Sequence, residues 1–141
     1  MTRVPPDPGS TAATGPVVLV VEREGQGRDL EAHYLRQAGF QVEMTPDGAA
    51  AWDLVQRRPP DLVVTELLVP RLDGLALCHR IKTSPATQEI LVLIVSMLAA
   101  ASRSRDAGAD AFLLKPISQE RIDGVVARLF PRMRANVEER A

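Results

Sequence analysis

At 141 residues the chain suits one domain and is too short for two of ordinary size. Its 45% hydrophobic content is enough for a core, and a net charge of −1 gives no bulk attraction to nucleic acid or to an anionic membrane. The single cysteine, Cys78, excludes an internal disulfide and fits a reducing compartment.

The opening residues have no basic stretch followed by an apolar run, so no signal peptide is expected. The longest mostly apolar run, Ile90 to Ala101, is too short to span a bilayer, which leaves a soluble cytoplasmic protein as the expectation. Of the 17 basic residues only Lys82 and Lys115 are lysines. In a chain that otherwise chooses arginine, a lysine marks a position with a chemical requirement.

Residues 1–16 hold four prolines, two glycines and many small side chains, and are expected to form a disordered tail. From Val17 the pattern changes. Val17 to Val21 is a short, fully apolar run. Leu30, Tyr34, Leu35 and Ala38 then recur at helical spacing, and Gly39 closes that helix. Gln41 to Thr45 alternates, as an edge strand does. A helix follows over Ala49–Arg57 with Trp52 and Val55 on one face, stopped by Pro59 and Pro60.

Asp61 to Glu66 is the next strand and Leu75 to Lys82 the next helix. Ile90 to Val95 is a fourth strand, and a short helix over Ala99–Ala107 ends at Gly108. Ala111 to Leu114 is the fifth strand. Ser118 caps a last helix that reaches Leu129, ahead of a short charged C-terminal tail over 131–141. Continuous apolar runs mean strands buried on both faces, the mark of a parallel sheet covered by helices. Five βα repeats with right-handed crossovers predict a doubly wound α/β fold of flavodoxin-like strand order 2-1-3-4-5 over residues 17–130.

In such a sheet the functional crevice lies at the carboxyl ends of the strands. The first strand runs into Glu22, Arg23 and Glu24, the third ends at Glu66, the fourth runs into Ser96 and Met97, and the fifth into Lys115-Pro116. Acids, a hydroxyl and a rare lysine therefore converge on one edge. Gly25-Gln26-Gly27-Arg28-Asp29-Leu30 gives G-x-G-x-x-L, a dinucleotide fingerprint with Leu30 in place of its third glycine. A flavodoxin-like nucleotide-binding module or enzyme is thus a minor alternative. Cys78 is expected as a small buried hydrophobe, His33 and His79 at the surface, and Trp52 and Tyr34 in packing.

With these stretches in order, residues 17–130 resemble the receiver domain of two-component response regulators. The resemblance rests on Val18 to Val21 before an acidic site, Pro60 to Val64, Pro70-Arg71-Leu72-Asp73-Gly74, Gly108-Ala109-Asp110 and Lys115-Pro116. It implies a signalling module rather than an enzyme. It assigns the phosphoacceptor position to Glu66, the acidic pocket to Glu22, Arg23 and Glu24, phosphate contacts to Ser96 and Lys115, and the switch aromatic to Phe112. The family accepts phosphate on Asp and holds Mg²⁺ with acids after the first strand.

Four departures stand out. Glu66 has one methylene more than Asp, moving its carboxylate out by ~1.5 Å, and in-line transfer tolerates displacement poorly. Asp61, at the far end of the strand, and Asp73, on the following loop, cannot replace it. Arg23 stands where the family has a second acid, so Glu22 and Glu66 are balanced by Arg23 and Lys115, and no cofactor is expected. Metal ligation falls to Glu22, Glu24 and Glu66 as weak candidates. Glu66 is expected to pair with Lys115, or with Arg23 in a fork. Met97 is expected to plug the opening partly, and the stretch from Ser96 to Gly108 is about one helical turn shorter than is usual in the family.

The resulting expectation is an atypical, phosphorylation-independent receiver. It would bind a histidine kinase, another regulator or a scaffold through the fourth helix, fifth strand and fifth helix, with a homodimer as one form. The alternative is a working regulator that still takes phosphate. No DNA-binding helix-turn-helix fits after Pro131.

Overall fold

The computed structural model describes residues 14–133. Most of the expected N-terminal tail, and the C-terminal stretch from Arg134, lie outside the described residues.

Five strands, β1 (Val17–Val21), β2 (Gln41–Thr45), β3 (Leu62–Glu66), β4 (Leu91–Ser96) and β5 (Ala111–Leu114), alternate with α1 (Gln26–Gln37), α2 (Gly48–Arg57), α3 (Gly74–Thr83), α4 (Ala101–Asp106) and α5 (Gln119–Leu129). The sheet is parallel throughout, in the order β2-β1-β3-β4-β5. This is the architecture the five βα repeats predict, with the alternating strand β2 at an edge. Pro131–Met133, expected as tail, forms a single 3-10 turn instead.

The alternation of strand side chains divides the core into two layers. Val18, Val20, Leu62, Val64, Leu93 and Val95 pack against Leu35 of α1, Ala38 at its C-cap, and Ile122, Val125 and Val126 of α5. Leu19, Val21, Val63, Val92 and Ile94 pack on the other side against Ala51 and Val55 of α2 and Leu77, Cys78 and Ile81 of α3. Each fully buried aliphatic side chain contributes about 1.5–3 kcal/mol of transfer free energy. Phe40 and Phe130 meet edge-on at 5.3 Å and close the first layer at the amino-terminal edge of the sheet.

Local chemistry sets the helix starts. The Asp47 carboxylate accepts from the Ala50 N–H at 2.7 Å, Asp73 from Ala76 at 2.8 Å, and the Ser118 hydroxyl from Arg121 at 3.2 Å. Gly39 and Gly108 end α1 and α4 with φ of 108° and 95°, as their positions in the sequence predict. At Gly74 a glycine is required by space, because a Cβ there would stand 2.3 Å from the Glu66 carbonyl oxygen. The start of α3 is thereby pressed against the end of β3.

Lys82 has a structural role that its rarity foreshadows. Its ammonium donates to the Ile90 carbonyl at 3.0 Å and to Asp110 Oδ2 at 3.1 Å, and the same Asp110 oxygen accepts from the Val92 N–H at 2.8 Å. Asp61 lies at the amino-terminal end of β3, where its carboxylate accepts from the Val17 N–H at 2.8 Å, far from the crevice.

Candidate functional site: an acid cluster closed by Lys115

Strand register carries the site residues to one edge. β3 and β4 align Glu66 with Val95, and β4 and β5 align Ser96 with Leu114. Glu22 follows Val21, and its backbone N–H still donates to Thr45 of β2 at 3.1 Å. Glu22 and Glu66 continue the parity of Val18, Val20, Leu62 and Val64, so their side chains turn toward the layer that holds α1.

There they meet Lys115. Its Nζ donates to Glu66 Oε2 at 2.7 Å and to Glu22 Oε2 at 2.9 Å. Of the two partners expected for Glu66, the lysine takes it. The second carboxylate oxygen, Oε1, accepts from the Leu67 N–H at 2.8 Å. Ser96 is buried, and its hydroxyl accepts from the Leu98 N–H at 3.2 Å.

A further acid completes the cluster. Glu31 of α1 is only 2% exposed, and its Oε2 lies 3.7 Å from the Lys115 ammonium. The sequence pattern assigned the buried face of α1 to Leu30, Tyr34, Leu35 and Ala38. The buried face is in fact Glu31, Ala32, Leu35 and Ala38, and Leu30 is 45% exposed. Adjacent helical positions differ by about 100°, so a one-residue error of phase exchanges Leu30 for Glu31. The charge balance expected from the sequence is corrected accordingly: three carboxyls, not two, surround Lys115.

Burial pushes the Glu31 carboxyl up to about 8, helped by its hydrogen bond with Glu22 and by repulsion from Glu22. At neutral pH Glu31 therefore holds a proton. Glu66 goes the other way. Burial opposes its ionisation, but hydrogen bonds from Lys115 and Ser96 and the attraction of Lys115 outweigh burial and hold it below the ordinary carboxylate value. Burial likewise opposes the charge of Lys115, yet Glu22 and Glu66 raise its pKa above the usual lysine value.

The other expected residues lie apart from this cluster. Arg23 and Glu24 are exposed, and among the described residues neither forms an ion pair. Arg23 lines an open cavity of about 310 Å³ together with Glu22, Glu66, Leu68, Ser96, Met97 and Leu98. Met97 does not plug it: the side chain is 79% exposed and stands at its rim. Backbone direction after a strand end decides this, and residue type does not carry it. Phe112 is partly buried against the α2–α3 layer and borders a second cavity with Ala101, Ser104, Arg105 and Arg128. His33 and His79 are exposed, and Cys78 is fully buried. No described helix is long and apolar enough to cross a membrane.

The comparisons agree with this geometry. The model of the response regulator receiver domain matches residues 18–127. The chain is 40% identical over 101 residues to a gliding motility regulatory protein of Myxococcus xanthus, covering 70% of this chain and 13% of that protein. It is 35% identical over 119 residues to the response regulator MprA of a Mycobacterium species, covering 84% of this chain and 49% of the relative. The chain thus spans half or less of the length of these relatives. Among solved structures, the signal receiver domain of a signal transduction histidine kinase from Syntrophus aciditrophicus superposes with a TM-score of 0.76 at 30% identity, covering 83% of this chain and 91% of that one. With a family match over most of the described residues, a five-stranded sheet of order 2-1-3-4-5, and an acidic edge closed by a lysine, the chain belongs to the response regulator receiver domain family.

Proposed function

We propose that this receiver domain signals through protein–protein contacts without a phosphorylated state. The observation that carries the reading is the occupation of Glu66. Oε2 is taken by Lys115 at 2.7 Å and Oε1 by the Leu67 N–H at 2.8 Å. Donors on both oxygens draw charge from the carboxylate and fix its direction, which weakens it as a nucleophile, and in-line transfer needs the attacking atom correctly placed. The longer side chain of Glu66 also displaces its carboxylate from where an aspartate would hold it.

The donor set fits Mg²⁺ poorly. That ion takes near-octahedral oxygen ligands. Here an ammonium lies 2.9 Å from Glu22 and 2.7 Å from Glu66, and a guanidinium side chain, Arg23, lines the same cavity. Lys115 supplies part of the balance that a metal would otherwise give. Glu24, exposed and outside the cluster, adds little to a ligand set.

The partner is a protein of the two-component kind: a histidine kinase, another regulator or a scaffold. Docking uses the face formed by α4, β5 and α5, where Leu114 is 41% exposed. A second copy of the chain can use the same face.

The test is incubation with Mg²⁺ and acetyl phosphate, followed by intact-mass measurement, and titration with beryllofluoride followed by amide chemical shifts. Unchanged mass and unchanged shifts at Glu66, Ser96 and Lys115 support the proposal. A phosphoryl adduct on Glu66 identifies a working phosphate acceptor instead.

A further inference from the structure

Beside the acid cluster a second concavity opens, distinct from the cavity that Arg23 lines. It is a groove of about 270 Å³ between α1 and the loop after β5, bordered by Gly27, Leu30, Glu31, Met97, Lys115, Pro116 and Ile117. Its walls are apolar. Two of them, Leu30 at 45% and Met97 at 79%, are large hydrophobic side chains left open to solvent. Such exposure around a concave surface marks a place where something apolar binds.

The groove also has a polar element without a partner. Among the described residues no donor reaches Glu31 Oε1, although the atom is buried. A buried acceptor left unsatisfied is destabilising, and a ligand that supplies the missing hydrogen bond removes that cost. The charges facing Glu31 set the sign of that ligand. Glu22 and Glu66 are carboxylates and Lys115 is the one ammonium among them. The cluster therefore retains an excess of negative charge.

We propose that this groove binds a small amphipathic amine, its apolar body between Leu30, Met97 and Ile117 and its ammonium donating to Glu31. Drug-sized pockets run from roughly 300 to 1,000 Å³, so a groove of this size takes one ring and a short arm. The inference does not depend on whether Glu66 accepts phosphate. It uses α1 and the loop after β5.

The probe is benzylamine, with benzyl alcohol as its uncharged counterpart, titrated into the full chain and followed by amide chemical shifts. Benzylamine is expected to move the Leu30, Glu31, Met97 and Ile117 signals saturably at millimolar concentration. Loss of a charge-assisted hydrogen bond corresponds to about tenfold in affinity or more, so benzyl alcohol and the Glu31→Leu variant, which has no acceptor, are each expected to weaken binding by that factor.

Gly27→Trp fills the groove, since a Cβ at Gly27 meets nothing within 4 Å, and it is expected to abolish the shifts. If Glu31→Leu does not fold, Gly27→Trp and the alcohol comparison decide. No saturable shift, equal affinity for amine and alcohol, or shifts that persist in Gly27→Trp would each overturn the proposal.

Discussion

Glu31 and Lys115 face each other at 3.7 Å across the interface of α1 with the loop after β5, one a nearly inaccessible acid and the other an ammonium already held by two carboxylates. The pair draws α1 into a site otherwise built from strand ends. It also makes the stability of the fold depend on a single proton.

The sign of that dependence follows from linkage. Glu31 titrates at about 8 in the folded chain and near 4.5 when unfolded, so between those values the folded state binds more protons. Stability is then expected to fall as pH rises from about 4.5 to about 8, and to level off above that. The slope approaches, at most, about 1.4 kcal/mol per pH unit. Glu31→Gln removes this contribution. Urea denaturation across the window is expected to show a flatter profile for the variant, with its advantage over the parent growing toward pH 8.

Lys115→Met keeps the length of the side chain and removes its charge. Glu22 and Glu66 are then left close together with no counter-charge. Breaking a buried ion pair on one side costs about 3–5 kcal/mol, and Lys115 at 20% side-chain exposure belongs near the lower figure. Thermal and chemical denaturation at neutral pH measure the loss. Partial recovery is expected at acidic pH, where the stranded carboxylates take up protons.

Gly74→Ala tests how closely α3 is pressed against the end of β3. A Cβ 2.3 Å from the Glu66 carbonyl oxygen forces the backbone to move, at an expected cost of about 1–3 kcal/mol by analogy with overpacked cores. The amide signals of Glu66 and Leu67 are expected to shift along with the fall in stability.

Cys78 is fully buried, and its thiol is pushed up to about 12, chiefly by burial. The thiolate is the reactive form. Iodoacetamide at pH 8 is expected to label the native chain very slowly and the urea-unfolded chain readily, with mass spectrometry as the readout.

The sheet was readable in the sequence because β1, β3 and β4 are short, largely apolar and rich in β-branched residues, and because Gly39, Gly108 and Ser118 mark helix ends by simple stereochemistry. The pairing of Glu66 was readable as one of two alternatives, Lys115 or Arg23, since all three lie at strand ends on the same edge, and the structure takes Lys115. Glu31 was not. Its neighbour Leu30 offers a more plausible buried residue, and only the packing of α1 on the sheet fixes the phase of the helix. The direction of Met97 was hidden for a similar reason: after a strand ends, period-two alternation no longer says where a side chain points.

The two lysines have a joint consequence for β5. At its start, Asp110 is held by Lys82 from α3 and by the Val92 N–H of β4. At its finish, the Lys115 N–H donates to the Ser96 carbonyl at 2.8 Å while its ammonium grips Glu22 and Glu66. A four-residue strand at the margin of a sheet would ordinarily be the first to peel away. Anchored at both extremities, β5 can detach only when α3 and the acid cluster release it together, so its loosening is coupled to events on opposite borders of the sheet.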